Sequence, residues 1–302
     1  MEREDRIAVY EQTMKIVNEG HYVKDGKEIH IPTDDLDESL KELQHFQNGE
    51  DISGLFNEIK KEGLNPTFSN TEVEVINEDT LVAAKNLINE GMSPAILNMA
   101  SYVFPGGGVL KGSAAQEENL FRRTDLFRSL YKFHDNALKL MPPVKKEEKG
   151  RYPLKLHHGG IFSPYITVFR DTDENDYQLL NEPYVVNVVS MAALRNPTLT
   201  EDGKLTKRDY EITKEKIRDI LYYSYIGTND AVVLGALGCG AYKNPPEEVA
   251  RACKEVINEK QFEGCFRKIV FAIFDDHNSR KAHNPRGNFI PFKEIIEGHD
   301  NT

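Results

Sequence analysis

A chain of 302 residues has enough material for one large domain or two small ones and for a sizeable core. Its formal charge of −11 makes the surface as a whole a poor partner for nucleic acid or an anionic membrane, so a polyanionic ligand has to be held locally, by backbone amides and a few cationic side chains. The three cysteines, Cys239, Cys253 and Cys265, are odd in number and show no CxxC pairing, which argues against a disulfide framework and for a reduced, cytoplasmic protein. The opening MEREDRIAVY has no apolar signal core, and the apolar run at 185–194 is short and carries Asn187 and Ser190, so no membrane span is expected.

In chain order, residues 1–70 read as a mainly helical extension packed on a core domain at 71–298. Ile7, Tyr10, Met14 and Val17 fall at helical spacing ahead of Gly20, and Tyr22 and Val23, an Asp25-Gly26 turn and Ile29 to Ile31 predict a small hairpin. Residues 34–46 are acidic and helix-compatible, a solvated face with a lid as the alternative role. From Thr71 strand and helix patterns alternate: a strand at 72–76, a helix at 80–89, a covered strand at Ala95-Ile96-Leu97 and a helix from Ala114 on which Ala115, Leu120, Phe121, Leu126, Phe127 and Leu130 are spaced. A polar insertion at 141–150 follows, then paired strands at 161–162 and 166–169 around a Ser163-Pro164 turn. A buried strand at 183–190, a helix at 206–225, a strand at 231–234, a helix from about Glu247 and a last strand within FRKIVFAIFDD complete the chain. This alternation predicts an α/β fold with a mostly parallel or mixed sheet flanked by helices. No internal repeat or low-complexity tract interrupts it.

The most informative stretch is PAILNMASYVFPGGGVLKGSAAQEENLFRRTDLFRSLY, residues 94–131. Asn98 and Ser101 sit where its strand would end, the edge at which open α/β sheets bind ligands. Pro105 stiffens the turn, and Gly106, Gly107 and Gly108 let the backbone approach a ligand with consecutive N–H groups that suit an anion. Gln116, Glu117 and Glu118 fall in the first helical turn, where acids by default stabilise the helix dipole. Adjacent helical residues point about 100° apart, so at most one of the two glutamates aims at a reacting atom. Neither GxGxxG nor the P-loop order is present: Lys111-Gly112-Ser113 inverts the latter. A second glycine loop, Gly238-Cys239-Gly240-Ala241-Tyr242, follows the strand at 231–234 and precedes a helix, again an anion site. Two such loops make a diphosphate with two riboses the economical ligand, with Tyr242 as a flat face for a sugar or a packing plug. His157, His158, His277 and His283, with Asp275 and Asp276, lack HxxxH or CxxC spacing, so no metal is expected. Ser113 and Ser190 have no nearby base in sequence, and Cys239 is the one cysteine inside a glycine loop.

The spacing GGG, seven residues, QEE resembles the signature of poly(ADP-ribose) glycohydrolases, and the flanks LNMAS and NLFRRTDLFRSLY resemble the microbial branch of that family. The second glycine loop is similar to that branch's diphosphate-binding loop, FRKIVFAIFDD to its last core strand, and the likeness runs over about 6–298. It implies a macrodomain-like mixed sheet sandwiched between helices, and hydrolysis of ribose-ribose O-glycosidic bonds with release of ADP-ribose. It implies Glu118 as catalytic acid and then base, and Glu117 as its ribose-orienting neighbour. By the same likeness Gly106, Gly107 and Gly108 contact the terminal ribose and diphosphate, Gln116 braces the catalytic loop, Asn98 and Ser101 lie near the ribose, and Gly238, Cys239, Gly240, Ala241 and Tyr242 close over the diphosphate. The implied partners are ADP-ribose, its polymer and ADP-ribosylated proteins, with no metal or redox cofactor. A carboxyl partly desolvated in such a cleft keeps its proton near neutral pH, and the usual glycosidase pair facing across the bond is not evident. Three alternatives keep other classes open: removal of ADP-ribose from a nucleobase or an acidic side chain, a non-catalytic ADP-ribose reader, and an unrelated nucleotide-binding scaffold whose glycine loops lie far apart.

Overall fold

A computed structural model describes residues 1–31, 51–131, 133, 152, 154, 157–275 and 279–298. The acidic stretch 34–46, the insertion 141–150, Asp276 and His277 lie outside the described residues.

Helix α1 (Arg3–Glu19) turns Tyr10, Thr13, Ile16 and Val17 inward and ends at Gly20, whose left-handed φ of 73° returns its N–H to Ile16 O. The hairpin of β1 (His21–Lys24) and β2 (Lys27–His30) follows, with Asp25 and Gly26 both at positive φ, the geometry of a tight two-residue turn. Helix α2 (Ser53–Glu62) inserts Phe56 between Tyr222, Tyr225 and Phe262, at ring separations of 4.7, 5.1 and 5.6 Å.

The central sheet has six strands, β3 (Glu72–Ile76), β4 (Pro94–Met99), β5 (Gly160–Arg170), β6 (Leu179–Met191), β7 (Ala231–Leu234) and β8 (Lys268–Ala272), in the order β3-β8-β7-β4-β6-β5. All neighbours are parallel except the edge strand β5. Five carboxyl ends therefore meet at one edge, where open sheets of this kind take ligands. Side chains alternate across the sheet: Ile96 enters one core with Tyr10, Leu81, Phe121 and Phe127, whereas Ala95 and Leu97 enter the other with Ile217, Val249 and Phe292. The first core is covered by α1, α3 (Thr80–Asn89), α4 (Gln116–Arg123) and α5 (Leu126–Tyr131), the second by α2, α6 (Lys207–Ile226), α7 (Pro246–Ile257) and α8 (Phe289–Glu297). This is the expected α/β sandwich.

Two elements differ from the pattern-based expectation. The helix predicted to run from Ala114 past Leu130 is two helices, because Thr124 is extended (φ −138°, ψ 172°). Its Oγ1 donates to Leu120 O at 2.7 Å and accepts from Leu126 N at 3.2 Å, so a side chain replaces the broken helical bonds. Periodicity misses this break because both pieces still face the same core. The paired strands expected at 161–169 are instead one strand, β5, irregular between Ser163 and Ile166 where it meets β6. Pro164, which has no N–H to give a ladder, is tolerated at this irregularity of an edge strand, and Tyr165 (φ 53°) donates its N–H to Asn187 Oδ1 at 2.9 Å.

At the helix break, Asp125 is fully buried, and its Oδ1 accepts from Thr167 N at 2.8 Å. Burial pushes its pKa up to about 7, against the pull of the Thr167 N–H. A carboxyl with a raised folded-state pKa contributes stability that is present in acid and lost as pH rises through that value. Asp125→Asn does not titrate and keeps an Oδ1 acceptor. It is therefore expected to gain stability relative to the wild type between about pH 5 and about pH 8, read from urea midpoints at both ends. An unchanged gap would contradict the burial argument.

Candidate active site

The carboxyl ends of the parallel strands open into a cleft of about 1070 Å³. Gly107, Gly108, Glu117 and Glu118 line it from the first glycine loop and α4, and Gly238, Gly240, Ala241 and Tyr242 line it from the second. The two loops touch: Tyr102 donates its N–H to Tyr242 Oη at 3.1 Å, and the two rings meet edge-on at 6.0 Å. Glycine loops far apart in space, the condition for an unrelated scaffold, are thus not found.

The start of α4 is lashed to the end of β4 by side chains. Gln116 Oε1 accepts from Met99 N at 2.9 Å while its Nε2 donates to Leu97 O at 2.6 Å. Glu117 is fully engaged: Oε2 accepts from Ser101 N at 2.7 Å and Oε1 from Gly106 N at 3.0 Å. Burial pushes the Glu117 pKa up to about 8, opposed by the Ser101 N–H and reinforced by the charge of Glu118. Glu118 differs. Its Oε1 accepts from Gly108 N at 2.7 Å, and its Oε2, also buried, has no hydrogen-bond partner among the described residues. Gly107 lies between the acids at φ 53°: a Cβ there would stand 2.5 Å from Glu118 Oε1 and 3.1 Å from Glu117 Oε2. Both carboxylates thus converge on one point of the loop from the same wall, instead of facing each other across the cleft.

Ser101 and Gln116 also line the cleft, whereas Asn98, Gly106 and Cys239 stand behind its wall. Asn98 is fully buried, with Nδ2 donating to Ser190 Oγ at 3.0 Å. Burial pushes the Cys239 thiol far above its ordinary pKa, and the Cys239 carbonyl is 3.0 Å from His283 Nε2. Gly238 (φ 77°) is held by Asn244, whose Nδ2 donates to Gly238 O at 3.1 Å and Leu194 O at 2.7 Å.

Several wall residues escaped sequence reasoning because they arrive from distant elements. Asp79 caps α3 through the N–H groups of Leu81 and Val82, pairs with the buried Arg123 at 2.7 Å, and lines the cleft. Met1 and Arg6 reach the wall from the N-terminal extension beside Thr172, Asp173 and Glu174, and an Arg6–Asp173 ion pair of 3.2 Å closes that end. Phe274 lies two residues past the end of β8, is 58% exposed and lines the cleft. The one signal for it was an aromatic residue ahead of the two aspartates of the FAIFDD run. Asp275 does not line the cleft; its Oδ1 accepts from Asn288 N at 2.8 Å and Phe289 N at 3.3 Å, which caps α8. Among the described residues one group could hold a metal ion: His157, His158 and Glu215, whose ligand atoms lie within 4.8 Å of one another, outside this cleft. His157 Nε2 is 2.5 Å from Glu215 Oε2, and His158 Nδ1 is 3.0 Å from Asp219 Oδ2, contacts that tether the segment before β5 to α6.

An α/β sandwich whose parallel strands end at a cleft with two glycine loops, and with a buried carboxylate oxygen left without a partner among the described residues, is the kind of fold that takes an anionic ligand at its sheet edge. The chain is a member of the microbial-type PARG (poly(ADP-ribose) glycohydrolase) catalytic-domain family, whose family model matches residues 10–171, more than half of the sequence. Among solved structures it is similar to poly(ADP-ribose) glycohydrolase from Thermomonospora curvata, at 28% identity over 98% of this chain and 99% of that one, with a TM-score of 0.74. The same enzyme bound to the inhibitor ADP-HPD matches at 27% identity over 98% and 99% of the two chains, with a TM-score of 0.72. Poly(ADP-ribose) glycohydrolase from Deinococcus radiodurans in complex with ADP-ribose matches at 27% identity over 89% of this chain and 99% of that one, with a TM-score of 0.65. Comparison with curated proteins gives no significant match.

Proposed function

We propose that this poly(ADP-ribose) glycohydrolase works through Glu118 as a single acid and base. The observation that carries this assignment is the asymmetry of the two acids: Glu117 has both oxygens committed to backbone N–H groups, whereas Glu118 keeps Oε2 for a substrate. With the terminal ADP-ribose in the cleft, Glu118 delivers a proton from Oε2 to the departing ribose oxygen as positive charge develops at the anomeric carbon. The resulting carboxylate then takes a proton from the attacking water. A second carboxylate across the bond, as in most glycosidases, has no counterpart in Glu117, which shares a wall with Glu118. The first glycine loop does not offer the run of free N–H groups that its sequence suggests, because those of Gly106, Gly107 and Gly108 go to Glu117, Phe104 O and Glu118, so the substrate's own diphosphate falls to the N–H groups of the second loop, from where it stabilises the cationic centre.

Glu117 orients the terminal ribose by fixing the backbone at Ser101 and Gly106, and Gln116 braces the same corner. Tyr242 faces the sugar, and Phe274 offers an exposed ring at the β8 end of the cleft for the adenine to stack on. Residues 1–70 act as an extension of a macrodomain-like catalytic domain at 71–298, and Tyr10, in the shared core, supports Phe121 and Tyr131 beneath the first loop. Three free buried cysteines fit a cytoplasmic setting, and ADP-ribosylated proteins are the natural carriers of the substrate. No helix among the described residues is long and apolar enough to cross a membrane.

The linkage is tested by presenting three substrates in parallel: poly(ADP-ribose), ADP-ribose on a nucleobase, and ADP-ribose on a glutamate side chain. The polymer is expected to give the highest kcat/KM; faster release from either of the others would move the assignment to that linkage.

A further inference from the structure

Beside the cleft lies a second cavity of about 820 Å³, and the two share three wall residues, Tyr102, Ala193 and Arg195. Tyr102 adjoins the catalytic corner, because the neighbouring Ser101 gives its N–H to Glu117 and Tyr102 gives its own to Tyr242. Its ring carries the Arg195 guanidinium 5.8 Å from the centroid. Beyond this partition the cavity has apolar walls from Leu154 and Ile212 and a cation from the exposed Arg208. Glu211, Glu215, His157 and Lys216 also line it, a mixed set that suits a group with both hydrogen-bond donors and acceptors, as a purine has.

In poly(ADP-ribose) the bond to be cut joins the terminal ribose to a ribose hydroxyl of the next unit's adenosine. While the terminal unit fills the cleft, that adenosine has to lie one sugar away from Glu118, outside the cleft yet next to it. We propose that the second cavity is a leaving-group subsite for the adenosine of the penultimate unit, with the purine against Tyr102 and Ile212, its exocyclic amine toward Glu211 or Glu215, and Arg208 toward the phosphate that follows. The proposal rests on the glycohydrolase function above. An aromatic platform beside a guanidinium is the arrangement that holds bases of single-stranded nucleic acid without a sequence code. The site recognises a leaving group that belongs to a polymer, so it separates the polymer from free ADP-ribose.

Arg208 and Ile212 line the second cavity alone, and so serve as probes. Arg208→Glu reverses the charge, and Ile212→Trp fills the space. The readouts are KM and kcat on poly(ADP-ribose) of defined chain length, and the affinity for ADP-ribose by calorimetry. Ile212→Trp is expected to raise KM for the polymer about tenfold, within the range for losing one stacked base, and Arg208→Glu to raise it through repulsion of the phosphate, both with ADP-ribose affinity unchanged. Arg208 is exposed, so Arg208→Glu remains informative even if Ile212→Trp fails to fold. A wild-type KM for the polymer in folded variants overturns the subsite and leaves the glycohydrolase function standing. Equal losses for polymer and free ADP-ribose also overturn it, by making the cavity part of the terminal-unit site. A wild-type chain that binds ADP-ribose without shortening the polymer overturns the function and the subsite together.

Discussion

Glu118→Gln is expected to bind ADP-ribose as the wild type does while turning poly(ADP-ribose) over at least ~100-fold more slowly, the low end for losing a general acid. The substitution is close to isosteric, and its amide oxygen still accepts the Gly108 N–H that Glu118 Oε1 accepts at 2.7 Å. What is lost is the capacity to give up a proton at the Oε2 position, which has no partner among the described residues. Steady-state kcat on the polymer and a calorimetric ADP-ribose titration separate the two effects. Glu117→Gln supplies the contrast. Both Glu117 oxygens accept backbone N–H groups, so an amide in that place sets an NH2 against the N–H of Ser101 or Gly106. Binding and turnover are then expected to fall together, and a Glu117→Gln variant with normal affinity and no turnover would reverse the roles assigned to the two acids.

Phe121→Ala is the stability change with the largest expected effect, a loss of about 3–5 kcal/mol in the unfolding free energy. The ring is fully buried between Tyr10 and Tyr131, at centroid separations of 6.3 and 5.7 Å. It also forms the floor under the first glycine loop: a Cβ on Gly106 would stand 2.6 Å from its edge. Truncation therefore opens a cavity where the core and the first glycine loop meet, and the loop loses the surface on which its positive-φ turn rests. Denaturant unfolding gives the cost, which is expected to appear as a lower midpoint at an unchanged m-value. A cost below about 1 kcal/mol would mean that the site collapses around the missing ring and that the loop is supported elsewhere.

What the sequence made legible was local. The helix Thr80–Asn89 and the strand Ala231–Leu234 have the bounds that their apolar patterns predict, since Asp79 caps the first and the second is covered on both faces. The corner proposed as catalytic was legible as a piece of structure, because only seven residues separate the glycines from Gln116 and the returning chain brings Glu117 and Glu118 back onto the loop it has just left. The division of labour proposed for the acids was half legible: helical geometry forbids a shared direction, yet only the hydrogen bonds distinguish the committed Glu117 from Glu118. Contacts between distant segments were hidden. The break at Thr124 is made by side-chain bonds and a pairing with Val168, and the single strand β5 is fixed by its partner β6. Asp79, Arg195 and Phe274 belong to the cleft because parallel strands bring their ends to one edge, and Met1 and Arg6 because α1 packs onto that core; no local pattern encodes such a meeting.

The most direct measurement is the appearance of free ADP-ribose when the wild-type chain is mixed with poly(ADP-ribose), followed by chromatography beside a calorimetric titration with ADP-ribose. Progressive release of ADP-ribose, with binding of the free ligand in the same preparation, is the predicted result. Tight binding with the polymer left at full length would contradict the account, and would make the cleft a reader of ADP-ribose in place of an enzyme.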